Sequence, residues 1–222
     1  MAKTETLRVV LSCILLWILT SVADSNQDSL DTQLVNSAKS GRITRIQQLL
    51  DKGASVDARD KSGKTALYWA CYLGHQEAAS LLLDQGADAN MRDNTGSTAL
   101  IEASREGRAD VVKLLLDKRE IFKADRRETL ADVLAAGKGA KMEIVKPLRS
   151  KVIEIDAADN RGNAALMWAA DRGHAKIVTL LLSKGADPKI KNSSGLTALD
   201  MAEDKGREEV IDALAAFKSP KK

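Results

Sequence analysis

Aromatic side chains are scarce: Trp, Tyr and Phe together make up 3% of the 222 residues. A core assembled around large rings is therefore excluded. Ala, Leu, Ile and Val must fill it, which suits closely packed helices better than a sandwich of strands. Cysteine is limited to Cys13 and Cys71, and histidine to His75 and His174. A formal net charge of +3 argues neither for nor against nucleic acid. No basic stripe interleaved with aromatics is present, however, so a nucleic-acid partner is not expected. What is abundant is ordinary: 44% hydrophobic and 29% charged residues fit a folded, soluble chain and exclude a disordered one.

The first residues read as a sorting signal. Lys3 and Arg8 precede an apolar run from Val9 to Val22, broken only by Ser12, Thr20 and Ser21. The small residues of Ser21-Val22-Ala23 then meet Asp24. This pattern predicts a secretory signal peptide over 1–23, cleaved between Ala23 and Asp24. The run of about 15 residues falls short of the ~20 that a spanning helix needs. No stable membrane insertion is therefore expected after cleavage, and the mature protein is expected in the periplasm or outside the cell. Cys13 lies too early in the run for a lipid-modified cysteine. Its removal leaves Cys71 alone, so no disulfide can form within the mature chain and packing must hold the fold.

Self-similarity dominates the remainder. Gly41, Gly74, Gly107, Gly173 and Gly206 lie on one 33-residue grid, with Ala140 in the remaining slot. Gly63, Gly96, Gly162 and Gly195 lie on a second. Thr65-Ala66-Leu67, Thr98-Ala99-Leu100, Ala164-Ala165-Leu166 and Thr197-Ala198-Leu199 keep the same spacing, as do Leu49/Leu50, Leu82/Leu83, Leu115/Leu116 and Leu181/Leu182. Each threonine can cap a first helix, Leu67, Ala70 and Cys71 share one helical face, and Gly74 ends that helix in the left-handed region. A second helix presents Ala78, Leu81 and Leu82 and ends near Gly86, where a short extended turn through Asp88 leads on. One helix pair cannot bury its apolar face alone, so neighbouring units must stack.

On these residues the chain resembles the ankyrin-repeat family. The stretch from Asp60 to His75 resembles the start of such a repeat, and Leu81 to Asp88 its end. The resemblance covers about Asp31 to Phe217 as six units. Ala stands where the family usually has Pro after the threonine. The resemblance implies an all-α repeat fold: a solenoid of about six helix-turn-helix units joined by short extended turns, spanning 24–218, before a basic tail at 219–222. Polar caps are expected at both ends, from Asp31, Gln33, Asn36 and Lys39, and from Glu203, Asp204, Lys205, Glu208 and Glu209. The pattern weakens over about 119–158. Arg119 and Val152 replace the turn glycine, Pro147 interrupts a helix, and Gly137 and Gly139 loosen it. Drift in a tolerant repeat explains this, and so does a bend that shapes a binding surface.

No catalytic constellation is present, and an enzyme is not expected. His75 and His174 occupy equivalent slots three units apart, or about 30 Å if each repeat advances ~10 Å. They are read as structural groups that bond loop backbone. No metal-spaced set, phosphate loop or nucleophile elbow appears, so neither cofactor nor metal is expected. Asn192-Ser193-Ser194 matches a glycosylation sequon, which matters only in a eukaryotic secretory pathway. Ankyrin arrays use the inner-helix face and turn tips for recognition. The resemblance places that face on Trp69, Tyr72 and Leu73, on Arg105 and Glu106, on Trp168, Asp171 and Arg172, and on Asp204 and Lys205. The tryptophans serve equally well as packing between helices. The function expected is a monomeric, exported scaffold for a protein partner. The alternatives are a small-ligand binder or an envelope stress-protection protein with no discrete partner.

Overall fold

The computed structural model describes residues 29–119 and 152–217. The expected signal peptide over 1–23, Pro147, Gly137, Gly139, Ala140 and the expected basic tail at 219–222 lie outside them. Within the described residues the chain is an all-α repeat solenoid of ten helices in five pairs, with no strand. The inner helix of each pair is α1 (29–39), α3 (Ala66–Leu73), α5 (Ala99–Arg105), α7 (Ala165–Arg172) or α9 (Ala198–Asp204). The outer helix is α2 (Ile43–Asp51), α4 (Gln76–Asp84), α6 (109–119), α8 (Ala175–Ser183) or α10 (Glu208–Ala216). Inner helices pack on inner helices and outer on outer, giving two layers.

Local chemistry sets the helix ends. The Thr65 hydroxyl accepts from the Tyr68 N–H at 3.1 Å, Thr98 from Ile101 at 3.4 Å and Thr197 from Asp200 at 3.3 Å. Each satisfies an N–H that the helix cannot. Ala164 holds the same slot without a side-chain cap. Before the inner helices the chain makes a tight turn organised by one carboxylate: Asp60 Oδ1 accepts from the N–H groups of Ser62 and Lys64, and Asp93 and Asp159 repeat this arrangement. The extended turns leave isolated antiparallel bridges at Arg59–Thr65 and Ala158–Ala164.

The core is a single row of small and branched residues. Leu67, Ala70 and Cys71 are buried as the spacing requires, and burial pushes the Cys71 thiol up, away from any reactive thiolate. The outer helices depart from expectation in phase. Leu81 is only half-buried, while Ala78, Ala79, Leu82 and Leu83 form the covered arc. The reason is that α4 must meet both its own inner helix and a neighbouring outer helix, which moves its buried stripe one position round.

The glycine grids mark close approaches between units. A Cβ on Gly41, Gly74, Gly107 or Gly173 would run into His75, Arg108, His174 or Arg207 of the following unit. Those side chains make one bond in common: each reaches back to an inner-helix carbonyl of the preceding unit. His75 Nε2 lies 3.1 Å from the Lys39 oxygen and His174 Nε2 3.1 Å from that of Arg105. The Nε groups of Arg108 and Arg207 donate to the carbonyls of Tyr72 and Asp171 at 3.1 Å. The histidines are therefore structural. In the second grid the turns stack by backbone bonds, Asn94 to Ser62, Asn160 to Thr95 and Ser193 to Arg161.

These ladders also fix the order of stacking. The bond from the slot after the glycine spans 36 residues from His75, Arg108 and Arg207, but 69 from His174. The turn bond spans 33 residues from Asn94 to Lys61 and 66 from Asn160 to Asn94. The carboxylate or amide that receives the next unit's N–H spans 31 residues for Asp57–Asp88 and Asp156–Asp187, and 64 for Asn90–Glu154. Every series lengthens by one period at the same place. The third unit therefore stacks directly on the fifth, α5 against α7. Arg119 remains helical, and its guanidinium seals this junction by donating to the Ile153 and Lys184 carbonyls at 3.0 Å. The stretch from Ile153 to Ala158 keeps the regular pattern.

The described bonds between the third and fifth units come from residues up to Arg119 and from Val152 on. Excising residues 120–152, which joins Arg119 to Ile153 in the register of Gly86–Ala87, is expected to leave a chain that still unfolds in one cooperative transition. Far-UV circular dichroism against urea checks this, and a gradual, non-cooperative melt would contradict the direct junction.

The first unit ends in a polar cap. Gln33, Ser37, Arg42 and Arg45 stand where the second unit has Ala66, Ala70, His75 and Ala78, and Arg45 donates to the Gln33 side chain at 2.6 Å. At the other end Glu203, Asp204, Lys205, Glu208 and Glu209 are exposed. The last cap matches the expectation, whereas in the first only Asn36 of the expected residues is exposed and Asp31, Gln33 and Lys39 are half-buried.

Candidate partner-binding face

The inner helices lie side by side, so the half-covered edge of each contributes to one continuous face. Trp69, Tyr72, Leu73, Arg105, Glu106, Trp168 and Asp171 are half-buried along it, while Arg172, Asp204 and Lys205 are exposed. The structure thus brings the sequence candidates into a row, but it gives them different environments.

The tryptophans are fixed. Trp69 Nε1 donates to Asp60 Oδ2 at 2.9 Å, and Trp168 Nε1 to Asp159 Oδ2 at 2.9 Å. Each ring is thereby tied to the turn that precedes its own helix and stays half-buried. Trp69 stands edge-on to Tyr68 at 6.0 Å and to Tyr72 at 5.7 Å. Burial alone would raise the Asp60 pKa. The hydrogen bonds from Trp69, Lys64 and Ser62, with the charge of Lys39, outweigh it and hold this carboxyl below its ordinary range.

Arg105 is engaged rather than free. Its guanidinium lies 2.6 Å from Glu102 and 3.2 Å from Glu106, and 5.5 Å from the Trp168 ring centroid. Glu102 itself occupies the slot of Trp69 and Trp168, is buried, and accepts from the Ser97 hydroxyl at 2.8 Å. Burial, with the charges of the same carboxylate and that of Asp93, pushes the Tyr68 phenol up. Arg105 thus neutralises a buried acid and ties the third unit to the fifth. Sequence reasoning missed Glu102, although an acid in a tryptophan slot was a visible signal. Asp171 pairs with Arg172 at 3.6 Å and Asp204 with Lys205 at 2.8 Å; such exposed pairs contribute little energy.

Two polar groups near this face carry structural meaning. Ser104 is fully buried without a hydrogen-bond partner among the described residues, in the slot held by Cys71 and Ala170. An unmet buried hydroxyl costs about 1–3 kcal/mol, so Ser104→Ala is expected to raise the urea midpoint at constant m-value. The Asn192 amide of the sequon is occupied: it donates to Asn163 at 2.8 Å, and its oxygen accepts from Ser194 and Leu196.

Among the described residues no group of His, Cys, Asp and Glu is placed to hold a metal ion, and no helix is long and apolar enough to cross a membrane. Comparison with known proteins agrees with the stack. A family model of ankyrin repeats, in three copies, matches residues 14–126 and 133–221. Osteoclast-stimulating factor 1 of Sus scrofa is 40% identical over 54 residues, covering 24% of this chain and 25% of that protein. The Gallus gallus protein of the same name is 42% identical over 50 residues, covering 22% and 25%. That of Danio rerio is 35% identical over 54 residues, covering 24% and 25%. The chain spans about a quarter of the length of these curated relatives.

Proposed function

The chain belongs to the ankyrin-repeat family, whose stacks imply a protein-interaction scaffold, and on that premise we propose that it is a non-catalytic, exported binding protein whose partner docks on the inner-helix face. One observation carries the docking part: Trp69, Tyr72, Leu73, Trp168 and Arg172 lie in one row on helices held rigid by repeated inter-unit bonds. A rigid row loses little conformational freedom on binding, and fixed aromatic rings are the residues that most often dominate interface energy. Export is supported by the basic start at Lys3 and Arg8, the apolar run and the small residues before Asp24.

Crosslinking in the native cell, read by mass spectrometry, tests the docking. A captured protein that is lost on Tyr72→Ala with Arg172→Ala, and kept on Lys113→Ala in the outer layer, is the expected result. Capture indifferent to the first pair would remove the face from the proposal. Export is tested separately by the mature N-terminus, expected at Asp24; a mature protein still beginning at Met1 or Ala2 would refute it.

A further inference from the structure

The two ends of the inner-helix face differ in charge and in ring content, and the difference identifies the chemistry of a partner. Three of the chain's few aromatics, Tyr68, Trp69 and Tyr72, fall on the single helix α3. Two lysines lie over them. Lys39 Nζ, from α1, is 4.3 Å from the Trp69 ring centroid; Lys64 Nζ, from the turn, is 4.8 Å from it and 4.9 Å from that of Tyr68.

The nearby acid does not cancel both charges. Asp60 lies 3.7 Å from Lys39 and already accepts from Ser62, Lys64 and Trp69. The equivalent tryptophan provides the contrast. Trp168 is covered by Arg105, which two glutamates neutralise, and Asn163 stands in the slot of Lys64. In the slot of Tyr72 the later units carry Asp171 and Asp204. The face therefore runs from a basic, aromatic N-terminal end to a C-terminal end of paired charges, Asp171 with Arg172 and Asp204 with Lys205.

We infer that the N-terminal half of this face binds an acidic peptide segment of a partner protein, one in which a large apolar side chain lies beside Asp or Glu. The apolar group rests on Trp69, Tyr72 and Leu73, and the carboxylates meet the ammonium groups of Lys39 and Lys64. Trp69 is held by its hydrogen bond to Asp60 and Tyr72 stands edge-on to it, so the platform is ready before the peptide arrives. The ammonium groups of Lys39 and Lys64 sit over the rings at cation–π distance, and each has three N–H donors of which a ring face takes no more than part. This inference rests on the reading of the inner-helix face as a protein-binding surface.

The test is selection of random twelve-residue peptides, displayed on phage, against the whole chain, followed by titration of the recovered peptides in solution. Recovered sequences rich in Asp and Glu next to Phe, Leu or Trp are expected. Their affinity should fall roughly tenfold or more for the double variant Lys39→Glu with Lys64→Glu, an effect of the size of one lost charge contact, and should weaken with added salt. Lys39→Arg with Lys64→Arg keeps the charge and should retain binding. Circular dichroism melts confirm that each variant folds. Recovery of neutral or basic peptides, of acidic peptides indifferent to the reversal, or of no peptide overturns the inference. Neutral peptides that still lose binding on Tyr72→Ala would overturn only the acidic chemistry. Peptides indifferent to every face residue would remove the binding face as well.

Discussion

Leu82→Ala and Leu181→Ala are each expected to lower the unfolding free energy by about 2–5 kcal/mol, measured as the urea midpoint and m-value by far-UV circular dichroism. Both side chains are fully buried, each in an outer helix with units stacked on both sides. The expected cost lies toward the upper part of that range, because the surroundings cannot close over the space left behind. The neighbours on the same helix are short or already packed: Ala78, Ala79 and Leu83 in one case, Ile177, Val178 and Leu182 in the other. The helices themselves are pinned by the ladder of backbone and His or Arg bonds between units. Leu81→Ala and Leu180→Ala supply the comparison. These leucines are only half-buried and should cost clearly less, because less apolar area leaves water there. Equal costs at Leu81 and Leu82 would overturn the phase of the outer helices. For a protein whose whole stability is of the order of 5–15 kcal/mol, the larger figure is a substantial fraction. In a repeat array it can also divide one transition into two, since stability is a sum of unit and neighbour terms.

That phase was beyond the sequence, and the reason is physical. A helix flanked on both sides buries a wide arc, so apolar spacing places the stripe only to within a residue. The glycine grids, in contrast, were fully legible. A glycine recurs wherever the next unit lays a side chain or a turn against the backbone, so the same slot is constrained in every unit that has a follower. The threonine caps were legible for a similar reason, being bonds within four residues. The inner-helix face was legible as a list of slots and illegible as chemistry. Nothing in the spacing says that Arg105 would be drawn into holding Glu102, or that Lys39 and Lys64 would converge on Trp69 from different units. Stacking order was hidden as well. The period counts residues along the chain, whereas the junction between the third and fifth units is a tertiary choice, made through Arg119, Asn90, Asn160 and His174. Sequence reading placed an irregularity at Arg119 without showing which units meet across it.

Gly107→Ala probes that junction most directly. Gly107 adopts φ +72, and a Cβ there would lie 2.7 Å from Cε1 of His174. The left-handed backbone alone costs a non-glycine residue roughly 1–2 kcal/mol. Displacing the imidazole also breaks its bond to the Arg105 carbonyl, worth about 0.5–1.5 kcal/mol. A loss near 2–3 kcal/mol is therefore expected from these two terms together. Gly206 separates them. It sits in the same grid slot with φ +61, but none of the described residues comes within 4 Å of its Cβ position. Gly206→Ala should show the backbone cost alone. The decisive measurement is a double-mutant cycle of Gly107→Ala with His174→Ala. Removing the imidazole removes the obstruction, so the two losses should add to more than the double variant shows, by at least the ~0.5 kcal/mol that marks coupled sites. If a further unit lay between them, the residues would not touch and the coupling would vanish. A zero coupling would therefore place the third and fifth units apart, and with them Arg105 and Trp168, breaking the inner-helix face into two.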